Sequence, residues 1–291
     1  MAKKEEWVEE SVGLSKKDRI IKQIAYNLIL ILVCALVLYP VIWVVQMAFS
    51  PDCPDGICED GILHNFIHVI TKTDGVGHHV FGYQLLNSVV VSLVTTVIGV
   101  LLACTAAYGF ARLNFVGRKM GLQAFLVTQM FPGVVMMIPL YIILGKLGLT
   151  DNVLGLVFVY SVSALPFCVW NLKGYFDTIP KELEEAAIVD GASRLTIFVK
   201  VVLPLAKPAI AITALFSFMT AWNEFILAAT FMNNEINYTL PVALKQYVGD
   251  QSIQYGYFAA GAILVSIPIM ALFFALQKYL VGGLTAGAVK G

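Results

Sequence analysis

Few residues of this chain are of a type that does chemistry, and the best ordered set suits contact rather than catalysis. Within 181–208, Glu185 is followed by Ala186 and Ala187, and Gly191 comes four residues later. A carboxylate beside two minimal side chains suits charge-assisted docking, because the acid takes a basic partner while the alanines admit a close surface. Four histidines, His64, His68, His78 and His79, lie in one polar stretch. His64 and His68 are spaced i, i+4, but no carboxylate motif accompanies them, so they are expected to be solvated loop side chains. Cys53 and Cys58 flank Pro-Asp-Gly-Ile, a turn that permits a disulfide or leaves two thiols. Two thiols alone are half a zinc site. Glu224 is the one carboxylate well inside an apolar run, which leaves a pathway, an interface or a packing role open. No Gly-rich phosphate loop is present and no nucleophile is paired with a base, so the chain is expected to be non-catalytic and to bind no cofactor or metal.

The elements that must carry these residues are membrane helices. Hydrophobic residues make up 59% of the chain and charged residues 13%, against about 25% charged in soluble domains. Mean hydropathy is +0.81. That leaves too little polar surface to cover a soluble globule. The pattern divides into six apolar runs of about 20 residues each, the length that crosses a bilayer. They fall near 24–47, 86–110, 122–144, 153–172, 209–231 and 258–281. Pro40 is expected to kink the first, Pro132 and Pro139 to break the third; Pro166 and Pro268 lie in the fourth and sixth. Cys34, Cys104 and Cys168 lie inside these runs and read as small buried hydrophobes. The expected division is an N-terminal tail at 1–23, a six-helix membrane domain at 24–281 and a C-terminal tail at 282–291. Loops at 49–84 and 232–256 face one side, and the loop at 176–208 faces the other. The charged N-terminal lead is expected not to be a cleavable signal peptide. A net charge of zero gives no reason to expect a nucleic-acid partner.

Lysine and arginine orient the whole. Only Lys72, Lys146 and Lys245 fall on the side of the 49–84 and 232–256 loops, leaving sixteen of nineteen on the other. The positive-inside rule therefore puts both termini and the 176–208 loop in the cytoplasm.

That loop reads as two helices. Pro180 suits a first helical turn, 181–189 consists of good helix formers, and Asp190-Gly191 offers a left-handed stop. Ser193 can cap a second helix whose apolar members are Leu195, Phe198, Val199 and Val202. Pro204 and Pro208 end it and start the next span.

The spacing Glu185-Ala186-Ala187, Gly191, then Val201, Leu203 and Pro204 resembles the EAA loop of ABC importer permeases. The runs QMFPGVVMMIPLYIIL and YLVGGLTAGAVKG extend the likeness to the carbohydrate branch, and within it to the shorter permease subunits of maltose/maltodextrin importers. The resemblance implies an all-α, type I importer permease fold in the bacterial inner membrane, with six transmembrane helices. It implies as partners a second permease subunit, two copies of an ATPase that use ATP and magnesium, an extracytoplasmic sugar-binding protein and membrane lipid. Glu185, Ala186, Ala187 and Gly191 would dock on an ATPase. The tail with Gly287, Lys290 and Gly291 would insert between the ATPases. The loop containing Gly249, Asp250 and Gln251 would reach the binding protein. A secondary, ion-coupled sugar transporter is the alternative, with Glu224 as its candidate ion site.

Overall fold

The computed structural model describes residues 16–50, 61–249 and 254–288. Cys53, Cys58, Asp250, Gln251, Lys290 and Gly291 lie outside them. The described chain is helical: α1 (Lys16–Phe49), α2 (His64–Thr71), α3 (Phe81–Arg112), α4 (Arg118–Met130), α5 (Gly133–Lys146) and α6 (Val153–Thr178) come first. Then follow α7 (Glu182–Val189), α8 (Arg194–Leu205), α9 (Lys207–Trp222), α10 (Ile226–Phe231), α11 (Leu240–Lys245) and α12 (Tyr255–Ala288). Four helices, α1, α3, α6 and α12, are long and apolar enough to cross a membrane alone. The bent pairs α4–α5 and α8–α9 bring the number to six when each counts as one crossing.

α3 and α6 form the most extensive contact, with α9 laid against both and α12 bridging α9 to α1. The reason is a stripe of small residues. Ser88, Ser92, Thr95, Gly99, Ala103, Ala107 and Ala111 recur at three- and four-residue intervals along α3 and are buried. Between apolar helices in lipid, such a stripe lets backbones approach and dispersion forces act at short range. At Gly99 an added methyl would sit 3.4 Å from the Ser217 hydroxyl of α9, ordinary contact distance. The core at one end combines Ala103, Ala107, Cys168, Leu172 and Phe176 with Ile197 and Val202 of α8. The opposite end packs Leu144, Leu156, Tyr160, Phe231 and Met232. Cys104 and Cys168 are buried as expected, but Cys34 is exposed on α1, whose apolar flank is uncovered by the rest of the chain.

Of the five prolines inside the expected apolar runs only Pro132 breaks its helix. Pro139, expected to help break the third run, stays within a continuous helix, as do Pro40, Pro166 and Pro268. At Phe131-Pro132 both residues are extended, with ψ of 126° and 123°, and α4 meets α5 at 98°. Pro132 cannot donate to the helix and pushes Phe131 out of helical space. The fifth crossing departs from a single helix over 209–231: it stops at Trp222 and restarts at Ile226. The last helix runs on through Gly282 and Gly283 to Ala288, so Gly287 is helical.

Gly155 is required where α6 begins. A side-chain carbon there would overlap the Leu149 carbonyl oxygen, which is backbone and cannot rotate away. Gly155→Ala is expected to destabilise the protein by about 1–3 kcal/mol, the usual cost of overpacking. Gly174→Ala, on the same helix with open space around it, is the control. Thermal unfolding of the two purified variants checks this: only the first should melt earlier.

Candidate functional site

The segment 181–208 folds as its residues require. α7 ends where Gly191 takes φ 81°, a left-handed conformation that glycine adopts without steric cost. Gly191 N donates to Ile188 O at 2.9 Å and Ala192 N to Ala187 O at 2.9 Å, closing the helix end. Ser193 then caps α8, its hydroxyl accepting from Thr196 N at 3.2 Å. The middle of α8, Phe198–Val202, is a π-helical turn. The two short helices thus form one rigid elbow projecting from the bundle.

Its outer surface holds the residues singled out by type. Glu185 and Ala186 are exposed, and Ala187 is half-buried against the core. Around them Val189 is 87% exposed, Leu195 72% and Ile188 58%. Glu185 therefore sits, with the exposed acids Glu182 and Asp190, among uncovered aliphatic side chains on a helix pair whose backbone is organised.

The inner face carries residues that were not legible as a site. Glu184, beside Glu185, is buried. It pairs with Arg112 at 2.5 Å (Nε to Oε1) and accepts from the Tyr108 hydroxyl at 3.0 Å. Arg112 Nη2 also donates to Ile179 O at 2.9 Å. Two features could have pointed here: a doubled acid where docking needs one, and an arginine closing an apolar run. A groove of about 210 Å³ opens beside this pair, with Glu185, Ile188 and Arg194 among its walls.

A second opening lies at the α4–α5 break. It has a volume of about 490 Å³ and is lined by Thr128, Gln129, Phe131, Met136, Phe158 and Ser163, among others, none of them ionisable. The hydroxyl hydrogens of Thr128 and Ser163 are spent on the carbonyls of Phe125 and Val159. What these hydroxyls present to the opening is acceptor lone pairs, together with the last carbonyls of α4, which lack intrahelical partners.

Glu224 is half-buried and its carboxylate is engaged. Its carboxylate caps α10, accepting from Leu227 N at 2.9 Å and Ala228 N at 3.1 Å, and takes the Tyr160 hydroxyl at 2.5 Å. The interruption at 223–225 has no proline or glycine behind it; the polar pair Asn223-Glu224 was its only trace.

Of the four histidines, His78 and His79 are exposed as expected, but His64 and His68 differ from the solvated expectation. α2 is a helix inside the 49–84 loop, and His64 and His68 are half-buried on it. His64 Nε2 lies 3.1 Å from the Tyr257 hydroxyl, and the His68 ring stacks on Tyr257 at 3.9 Å. Tyr247 packs against the same group, and its phenol is pushed up to about 12 by burial. Lys72 bonds Glu235 at 2.6 Å and Gln246 at 2.5 Å, fastening the two loops together. Asp74 is half-buried and held near 2, chiefly by the backbone N–H of His78. Gly249 is exposed at the end of the second loop. Among the described residues no group of three or more His, Cys, Asp or Glu is placed to hold a metal.

Burial, then the neighbouring His64 and Lys72, lower the pKa of His68 below 6.5. A depressed histidine is neutral when folded, so its contribution is complete above pH 6.5 and is lost as pH falls through the folded value. Between pH 7.5 and 5.5 the parent protein is expected to lose more thermal stability than His68→Phe, which keeps a ring on Tyr257. Equal losses would contradict the assignment.

Comparison with known proteins bears on this geometry. Residues 96–285 match the family model described as "Binding-protein-dependent transport system inner membrane component". The chain is 36% identical over 263 residues to the trehalose transport system permease protein SugB of Mycobacterium tuberculosis (strain CDC 1551 / Oshkosh), covering 89% of this chain and 95% of that one. It is 34% identical over 291 residues to the maltose/maltodextrin transport system permease protein MalG of Yersinia pestis, covering 94% and 96%. A chain from the crystal structure of a bacterial ABC transporter involved in alginate import superposes with a TM-score of 0.73 at 24% identity, over 91% of this chain and 98% of that one.

Proposed function

This chain belongs to the inner-membrane components of binding-protein-dependent transport systems, a non-catalytic permease subunit of a sugar ABC importer, and from that premise we propose how it works and what it carries. The elbow of α7 and α8 docks into a separate ATPase subunit. Glu185 pairs there with a basic side chain, Ile188, Val189 and Leu195 fill an apolar socket, and Ala186 allows close approach. The exposed acid within an uncovered aliphatic surface, on a rigid turn set by Gly191, is the observation that carries this reading. The assembly has a second permease subunit, two ATPases that bind ATP and magnesium, and an extracytoplasmic binding protein met by the loop around Gly249, Asp250 and Gln251. Both termini are cytoplasmic, as the lysine and arginine distribution requires, and the C-terminal segment with Gly287, Lys290 and Gly291 reaches the ATPases.

ATP-driven closure of the ATPases moves the elbow and with it the spans. The cargo passes beside the α4–α5 break. Its lining has no charged group and favours acceptors, which suits a neutral ligand rich in hydroxyl donors and disfavours an anionic one. We assign maltose or a maltodextrin, in keeping with the names of several relatives. The test is co-purification, followed by ATPase assays in liposomes with binding proteins loaded with maltotriose, trehalose or an alginate trisaccharide. Recovery of an ATPase and stimulation by maltotriose are expected. Recovery of no ATPase would refute the importer assembly; stimulation by alginate alone would refute the cargo.

A further inference from the structure

α7 and α8 are attached to the bundle in different ways. α8 is anchored by apolar burial, with Ile197, Phe198 and Val202 in the core. On α7 the only buried residue is Glu184, a charged one. Its partner Arg112 is the last residue of α3, and the two side chains are 10% and 8% exposed. Both carboxylate oxygens are engaged, Oε1 by Arg112 and Oε2 by Tyr108, while Arg112 also holds Ile179 O in the connection between α6 and α7. Of the two adjacent acids, Glu184 is therefore buried and Glu185 exposed.

We infer that the Arg112–Glu184 pair, with Tyr108, is the link through which movement of α7 is imposed on α3, which makes both residues positioning residues for transport although neither touches a partner subunit. Separating a buried pair strands both charges in a poorly solvated place, which is far costlier than sliding one apolar surface over another. The pair therefore stays closed while α7 is pulled, and α3, packed along its length on α6 and α9, carries the displacement into the membrane. This rests on the docking of α7 proposed above, so its test must separate link from dock.

The complete complex in liposomes is used, in a background without native cysteines. A cysteine replacing Ala186 reports docking by crosslinking to the ATPase. A cysteine replacing Phe131, at the α4–α5 break, reports rearrangement by its labelling rate with a water-soluble maleimide, with and without ATP. The parent should crosslink and show an ATP-dependent change of about tenfold. Glu184→Gln and Arg112→Gln should crosslink normally yet show less than a threefold change, and Arg112→Gln/Glu184→Gln should be no worse than either. Normal crosslinking with the full tenfold change would overturn the link, as would additive losses. Loss of the crosslink in the parent would instead overturn docking. Should the single variants fail to assemble, Arg112→Cys/Glu184→Cys strands no charge. Joining its thiols with a reducible linker should restore the change and reduction should abolish it; restoration without the linker would also overturn the link.

Discussion

Glu185→Lys is expected to leave the permease in the membrane and to abolish both sugar uptake and the ATPase activity that the loaded binding protein stimulates. Glu185 is exposed and has no structural partner to lose, so the fold has little reason to change. The substitution acts only where α7 meets its socket. There it removes a charge-assisted contact and places a cation against a cation. Losing one partner of a buried interfacial pair costs about 2–5 kcal/mol, and about 2.8 kcal/mol already weakens docking roughly 100-fold. Glu185→Gln should fall between, since it removes the charge but keeps an acceptor. Membrane content by immunoblot, uptake and stimulated ATP hydrolysis, measured together, check the claim. Normal uptake by Glu185→Lys would contradict it.

The second large effect is expected at Gly191. Its φ of 81° is out of reach of proline, which holds φ near −65°, and its N–H is used to close α7 on Ile188 O. Gly191→Pro must open the turn, so α7 and α8 no longer present one surface. Coupling should be lost as completely as with Glu185→Lys, by misplacing the elbow instead of altering its charge. A graded series separates the two mechanisms. Gly191→Asn should retain much of the activity because asparagine tolerates the left-handed region, Gly191→Ala less, with a strain of about 1–2 kcal/mol, and Gly191→Pro none. Equal activity across the series would show that the turn does not matter.

The parts of the structure legible in the sequence are those fixed by local chemistry. The elbow could be drawn residue by residue because Gly191 and Ser193 act within one helical turn of their own positions. The crossings could be placed because the bilayer imposes a length on apolar runs. What escaped depends on residues far apart in the chain. Arg112 and Glu184 are separated by 72 positions, and nothing near either names the other. The histidines of α2 read as solvated because their cover, Tyr257, comes from the last helix. Prolines misled in one direction only: five stand inside apolar runs, but just Phe131-Pro132 places two extended residues in succession. The break at 223–225 was hidden because a carboxylate cap, not a helix breaker, marks it.

The most direct measurement is where residue 186 lies in the working assembly. With cysteine at that position in a background without native cysteines, cells are treated first with a thiol reagent that cannot enter, then membranes from untreated cells are crosslinked. The expected result is no labelling from outside and a crosslink to the ATPase subunit. Labelling from outside, or an exposed thiol that crosslinks to nothing in a complex that transports sugar, would contradict the docking of this elbow.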